Sequence, residues 1–359
     1  MRNNTEKAAV NTQPSTRLLQ FDGLRGIAII IVVLSHCNIM NQGCAANGIF
    51  FALTGFLLLN PFKDAYEQRF FSVWNILKFY KSRAVRILPA YYLVLLVVYL
   101  QTGFTVIKKN VFLNLLYFGE IYDHLWFSYA YVWLMYVIPF VFVILLLFAK
   151  RIKFLRNDLV CAGIFLVISA LIRIFYLGND MFDIRLDQLM LGISAGYLFR
   201  YLRKNDKVFN SVKKHSLAGQ IVIIFLLLLF VLSSCDLLKY IDPKLEYYYV
   251  GMQLIFTVGF LMSILVLLVA LYPDCLVGRF LQNKALVFVG KHTFTIYLLN
   301  SFIIPQLNIQ SKYFLFVCVF STSLILAWII DSVIDKIKCV IVNAVSRAKM
   351  KKVTYEENI

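Results

Sequence analysis

Apolar positions along this chain of 359 residues come in long runs rather than in narrow stripes. Residues 24–41, 46–60, 86–102, 125–148, 158–177, 185–202, 217–235, 249–272, 291–308 and 312–338 are each apolar for most of their length, and basic or turn-forming residues separate them. About 20 apolar residues in a helix rising 1.5 Å each match the ~30 Å hydrocarbon layer of a bilayer. A polar backbone crosses that layer only as a helix or a closed barrel, and the runs lack the period-two alternation of barrel strands. The expected fold is therefore an all-α polytopic membrane protein with about ten transmembrane helices. The second run is short and holds Gly48 and Gly55, so it is expected to be tilted, broken or enclosed by protein. Residues 110–119 are too few to cross and are read as interfacial or re-entrant.

Composition sharpens this reading. The chain is 61% hydrophobic, 16% aromatic and 15% charged, with a mean hydropathy of +0.76, more apolar surface than a soluble fold needs. Its seven cysteines form no CxxC pair and several lie within apolar runs, so neither a disulfide framework nor a metal site is expected. The net charge of +17 would suit nucleic acid, but its placement argues for topology instead. With ten spans, the connections on one face carry 28 of the 36 Lys and Arg residues and those on the other carry six. The positive-inside rule then puts both termini in the cytoplasm. Residues 1–20 form a polar tail with no signal-peptide core, 21–338 the transmembrane domain and 339–359 a basic and polar tail.

Ionisable residues inside such runs are costly and point to function. His36 lies eleven residues after Arg25, roughly 16 Å further along a helix. A neutral imidazole can take a proton from a hydroxyl and return it, whereas a satisfied structural histidine is the plainer reading. Arg83 and Arg86 are three apart at the start of the third span, a fork for phosphate oxygens or an anchor for lipid headgroups. Pro89, Tyr91 and Tyr92 suit the first turns of a helix at the interface. Gly55 keeps one face of the second run small enough for a backbone or a substrate to approach. His124 and Trp126 open an aromatic stretch that is either an interfacial belt or a wall for sugar rings.

Taken in order, these segments resemble the acyltransferase-3 family of membrane O-acyltransferases. The likeness is carried by Asp22-Gly23-Leu24-Arg25-Gly26 with His36, by the run ending Thr54-Gly55-Phe56, by Phe79, Tyr80, Arg83, Arg86, Pro89 and Tyr91, and by His124-Leu125-Trp126 through Pro139. Residues 185–196 and 290–300 resemble later segments of the family. The resemblance implies transfer of an acyl group, commonly acetyl, from cytoplasmic acyl-CoA to a hydroxyl of a carbohydrate or lipid-linked glycan, in a bacterial plasma membrane. It implies His36 as the catalytic residue, either as general base toward the acceptor hydroxyl or as a nucleophile that briefly holds the acyl group, with Arg83, Arg86 and Arg25 near the acyl-CoA and Asp22, Tyr91 and Gly55 in support. His124, Trp126, Arg185, Asp187 and Asn300 would then fall on the acceptor side. Acetyl-CoA would be a donor substrate, with no bound cofactor and no metal.

One stretch and one single position depart from the family pattern. Tyr129, Ala130, Tyr131, Val132 and Trp133 stand where many members carry an acidic stretch, and Asn300 stands where members often carry histidine. The residues also leave a non-enzymatic alternative, a glycan or lipid-linked sugar exporter in which His36, Arg173 and Asp187 line a polar path.

Overall fold

The computed structural model describes residues 18–40, 43–101, 126–175, 185–234 and 252–356, and among these the chain is helical, without a strand. A helix stands on each of the ten apolar runs. In chain order these are α1 (Leu19–His36), α2 (Gly43–Leu58), α3 (Val73–Gln101), α4 (Trp126–Arg151), α5 (Asp158–Phe175) and α6 (Leu186–Lys204). A short amphipathic α7 (Asp206–Lys214) leads into α8 (Ser216–Ser234), and α9 (Met252–Leu271) follows. Two short helices, α10 (Leu276–Leu281) and α11 (Lys284–Lys291), precede α12 (Thr293–Ile303) and the long α13 (Lys312–Glu356).

Among the described residues, four helices are long and apolar enough to cross a membrane by themselves: Leu19–His36, Ala130–Arg151, Asp158–Phe175 and Lys312–Ile341. The number rises to six when the α7/α8 pair, bent by 70°, and the α11/α12 pair, bent by 72°, each count as one span. Ala46–Leu58 and Val258–Leu271 are apolar but shorter. The chain is thus a multi-pass membrane protein.

Several boundaries differ from those read in the sequence. α1 begins earlier than residue 24 and stops at His36, because Asn38 takes the left-handed conformation (φ 56°) and Ile39 N–H turns back to the Leu34 carbonyl. His36 therefore occupies the last turn of α1. α3 begins at Val73, so Pro89 lies well inside this helix and not in its first turns. α13 runs unbroken through residue 338. Residues 110–119 and His124 lie outside the described residues.

α2 is enclosed by protein, which explains how so short a helix is tolerated. Ile49, Phe51, Ala52, Leu53 and Phe56 are fully buried, between α1, α6 and α9. Close approach to α6 rests on paired small residues: a Cβ on Gly55 would strike the Leu189 carbonyl, and one on Gly192 the Ala52 carbonyl. Lipid tails are as apolar as leucine, so helices associate in a membrane through such contacts and through interhelical hydrogen bonds. Ser169 and Ser194 supply the latter between α5 and α6, donating to the Asp187 carbonyl at 2.8 Å and the Ala162 carbonyl at 2.7 Å.

Buried ion pairs hold both ends of the α5/α6 hairpin. At one end Arg173 donates to Asp187 Oδ2 at 2.7 Å. At the other, Arg200 donates to Glu67 Oε2 at 2.6 Å and also binds Asp158, which Lys204 reaches at 2.9 Å. Glu67 belongs to the turn between α2 and α3, so this network fixes that basic connection to the bundle. The basic connections gather at this same end, where Arg203 donates to the Phe62 carbonyl and Tyr272 to the Val212 carbonyl.

Candidate functional site

Arg25 emerges from the first third of α1, and its Nη1 donates to Asp22 Oδ1 at 2.9 Å one turn back. Asp22 is thus paired with Arg25, eleven residues short of His36. The glycines of the same motif serve packing. A Cβ on Gly23 would strike the Leu281 carbonyl, one on Gly26 the Leu286 carbonyl, and one on Gly290 the Asp22 carbonyl. The spacing Asp-Gly-Leu-Arg-Gly therefore lets α1 lie backbone to backbone on α10 and α11, and that contact sets where Arg25 projects.

α3 and α4 bring further cations to the same region. Arg83 Nη1 donates to Tyr131 Oη at 3.4 Å, and its guanidinium lies 5.4 Å from the Phe79 ring centre. Arg86 and Tyr131 are both within electrostatic reach of Arg25, and Arg83 is within reach of Arg69. Arg69, in the turn before α3, is held over the Tyr66 and Phe70 rings at 4.0 and 4.5 Å and donates to the Leu58 carbonyl at 3.2 Å. Guanidiniums from α1 and α3 thus meet at the Tyr131 phenol, with the Asp22 carboxylate bound to one of them and Arg69 beside Arg83. Like charges this close repel unless an anion joins them, so the arrangement suits a phosphate-bearing ligand.

His36, at the far end of α1, has a different environment. Its Nδ1 lies 2.5 Å from Asn300 Oδ1 and 3.2 Å from Ser301 Oγ, both on α12. Asn300 is fully buried, and its amide nitrogen donates to the Ile296 and Tyr297 carbonyls at 3.0 and 2.8 Å. Aromatic rings bridge the two regions. Tyr131, which meets Arg83, lies beside Phe127 with ring centres 6.3 Å apart, and Phe127 packs edge-on against Tyr297 at 5.4 Å, one helical turn before Asn300.

The structure brings together Asp22, Arg25, Arg83 and Arg86, and separately His36 with Asn300. Tyr91 is buried in the core beside Tyr92, and Gly55 lies at the α2/α6 crossing. Arg185, at the start of α6 with φ 46°, and Asp187 are buried on the hairpin, where Asp187 is engaged by Arg173. Trp126 opens α4, with its side chain outside the described residues. Two members of the arginine cluster were not singled out in the sequence. Tyr131 was noted only as standing where family members carry acids, which was the available signal. Arg69 sits in an aromatic-flanked stretch, Tyr66-Glu67-Gln68-Arg69-Phe70-Phe71, that reads like any other basic connection.

A family model described as an acyltransferase domain matches residues 18–332, most of the chain. The chain belongs to the acyltransferase-3 family. It is 25% identical over 317 residues to a protein of Staphylococcus aureus (strain COL) provisionally named an O-acetyltransferase, covering 77% of this chain and 49% of that protein. It is also 24% identical over 332 residues to O-acetyltransferase OatA of Staphylococcus aureus (strain NCTC 8325 / PS 47), covering 80% of this chain and 50% of that protein. The chain thus spans about half the length of the curated relatives it matches. No solved structure matches it.

Proposed function

We propose that the protein is a membrane O-acetyltransferase that moves an acetyl group from cytoplasmic acetyl-CoA to a hydroxyl of a cell-surface carbohydrate or lipid-linked glycan, in a bacterial plasma membrane. The observation that carries this reading is the division of α1. A cluster of guanidiniums lies around Arg25, and an amide and a hydroxyl hold the His36 imidazole, the two roughly 16 Å apart by helical rise. The phosphates of the donor bind Arg25, Arg83 and Arg86 with help from Arg69, and the pantetheine arm follows the Tyr131, Phe127 and Tyr297 rings toward His36. The charge excess of the basic connections supports a cytoplasmic position for the arginine end, where acyl-CoA is found.

In the transfer step the acceptor oxygen attacks the thioester carbonyl, a C–O bond forms and the C–S bond breaks. His36 takes the proton of the hydroxyl and delivers it to the departing thiolate. The rings around the path exclude water, which would otherwise compete for the acetyl group.

The test is transfer of label from radiolabelled acetyl-CoA to purified surface glycan by the full-length protein in liposomes. His36→Ala is expected to lower transfer by about 100- to 10,000-fold, the usual contribution of a positioned acid–base group, with unchanged insertion and melting temperature. Undiminished labelling by His36→Ala would refute the assignment. Glycan movement across the vesicle without acetylation would favour an exporter.

A further inference from the structure

We infer that Asn300 is a positioning residue that locks His36 in the tautomer protonated on Nδ1, so that the lone pair on Nε2 is the atom that accepts the acceptor's proton. The inference rests on the reading of His36 as the acid–base group.

An amide can face a ring nitrogen with either its oxygen or its nitrogen, and here the surrounding helix decides which. Asn300 Nδ2 lies 3.0 Å from the Ile296 carbonyl and 2.8 Å from the Tyr297 carbonyl, and a donor must occupy that position. Turning the amide over would press Oδ1 against two carbonyl oxygens with no proton between them. It would also leave both acceptors unmet in a fully buried site. Oδ1 therefore faces His36 Nδ1. A neutral amide oxygen only accepts, so the proton in that contact belongs to Nδ1.

Ser301 fits the same assignment. Its Oγ lies 3.2 Å from Asn300 Oδ1 and 3.2 Å from His36 Nδ1. The hydroxyl donates to Oδ1, while its oxygen shares the Nδ1 proton. One placement of protons satisfies every recorded contact of the ring. Fixing the tautomer through the nitrogen that does not react is how a supporting group sets which nitrogen of a catalytic histidine is free. The choice of an amide is informative as well. A carboxylate at this position would favour the imidazolium, which cannot accept a proton, whereas asparagine orients the ring without charging it. Among the described residues the recorded polar neighbours of the ring are Asn300 and Ser301, and neither is ionisable.

The test is 15N NMR of histidine-labelled full-length protein in lipid bilayers at pH 8, with the His36 signals assigned by their loss in His36→Ala. The expected spectrum has a protonated Nδ1 and an unprotonated Nε2, and Asn300→Leu removes that preference. In the acetyl-transfer assay, Asn300→Leu is expected to lower kcat about 100-fold while the KM for acetyl-CoA stays within about twofold, as for loss of the correct tautomer rather than of donor binding. Asn300→Asp keeps an acceptor against Nδ1 but charges the ring, so its transfer is expected to recover as the pH is raised, which Asn300→Leu does not do. Protonation on Nε2 in the unaltered protein would overturn the inference, as would an unchanged tautomer or an unchanged kcat in Asn300→Leu. Should the spectrum be as expected while the unaltered protein transfers acetyl to no glycan, the proposed function fails and the tautomer assignment stands.

Discussion

The α5/α6 hairpin and the α1/α12 pair both bury polar side chains between helices, but they satisfy them by opposite means. On the hairpin, Arg173 meets Asp187 and Arg200 meets Glu67 and Asp158, each cation facing a carboxylate in a nearly sealed site. Between α1 and α12, among the described residues, the hydrogen-bonding neighbours of His36 are an amide and a hydroxyl. Charge pairing closes a site, because each cation is already held by a carboxylate. Neutral hydrogen bonding to one ring nitrogen leaves the other side of the imidazole free. The same fold therefore uses ion pairs between α5 and α6, and an amide and a hydroxyl beside the histidine of α1.

The largest effect is expected from opening the hairpin. Arg200→Met leaves Glu67 buried without its cation and Asp158 with Lys204 alone, and losing one partner of a buried pair costs about 3–5 kcal/mol. The readout is a lower melting temperature in detergent, and Glu67→Gln with Asp158→Asn in the same chain should recover part of the loss. Next comes Gly192→Leu, whose side chain has no space against the Ala52 backbone. Overpacking of this kind costs about 1–3 kcal/mol, read as reduced yield of monodisperse protein.

A different kind of effect is expected at the guanidinium cluster. Arg83→Gln should raise the KM for acetyl-CoA about tenfold, equivalent to ~1.4 kcal/mol, with little change in melting temperature. A fall in melting temperature without a change in KM would make Arg83 part of the scaffold, like Arg200. The smallest effect belongs to Lys338→Gln. This removes an exposed pair with Asp335 at 3.3 Å, and the change should stay within about 0.5 kcal/mol by thermal melting.

The helices were legible because membrane-length apolar runs are a long-range signal. Their ends were less so, because single residues set them. Asn38 in a left-handed turn stops α1 at His36, and α3 begins 16 residues before the proline that suggested its start. His36, Arg25, Arg83 and Arg86 stood out as charged or titratable side chains in apolar surroundings. Tyr131 and Arg69 did not, since a tyrosine near a helix end and an arginine in a basic connection are ordinary features of such chains. The Arg173–Asp187 pair could be anticipated from neighbouring helix ends. The Arg200–Glu67–Asp158 network could not, because Glu67 is 133 positions from Arg200 and 91 from Asp158.

The sequence by itself determined that this chain lives in a bilayer and which few titratable side chains stand out there, because the cost of polar groups in hydrocarbon is paid locally, residue by residue. Tertiary structure alone decided which of those side chains meet. Hydrogen bonds and charge pairs form over about 3 Å, and no spacing in the chain sets the distance from residue 36 to residue 300. Backbone contacts at Gly23, Gly26 and Gly290 bring α1 onto the segment that leads into α12, and so place His36 against Asn300.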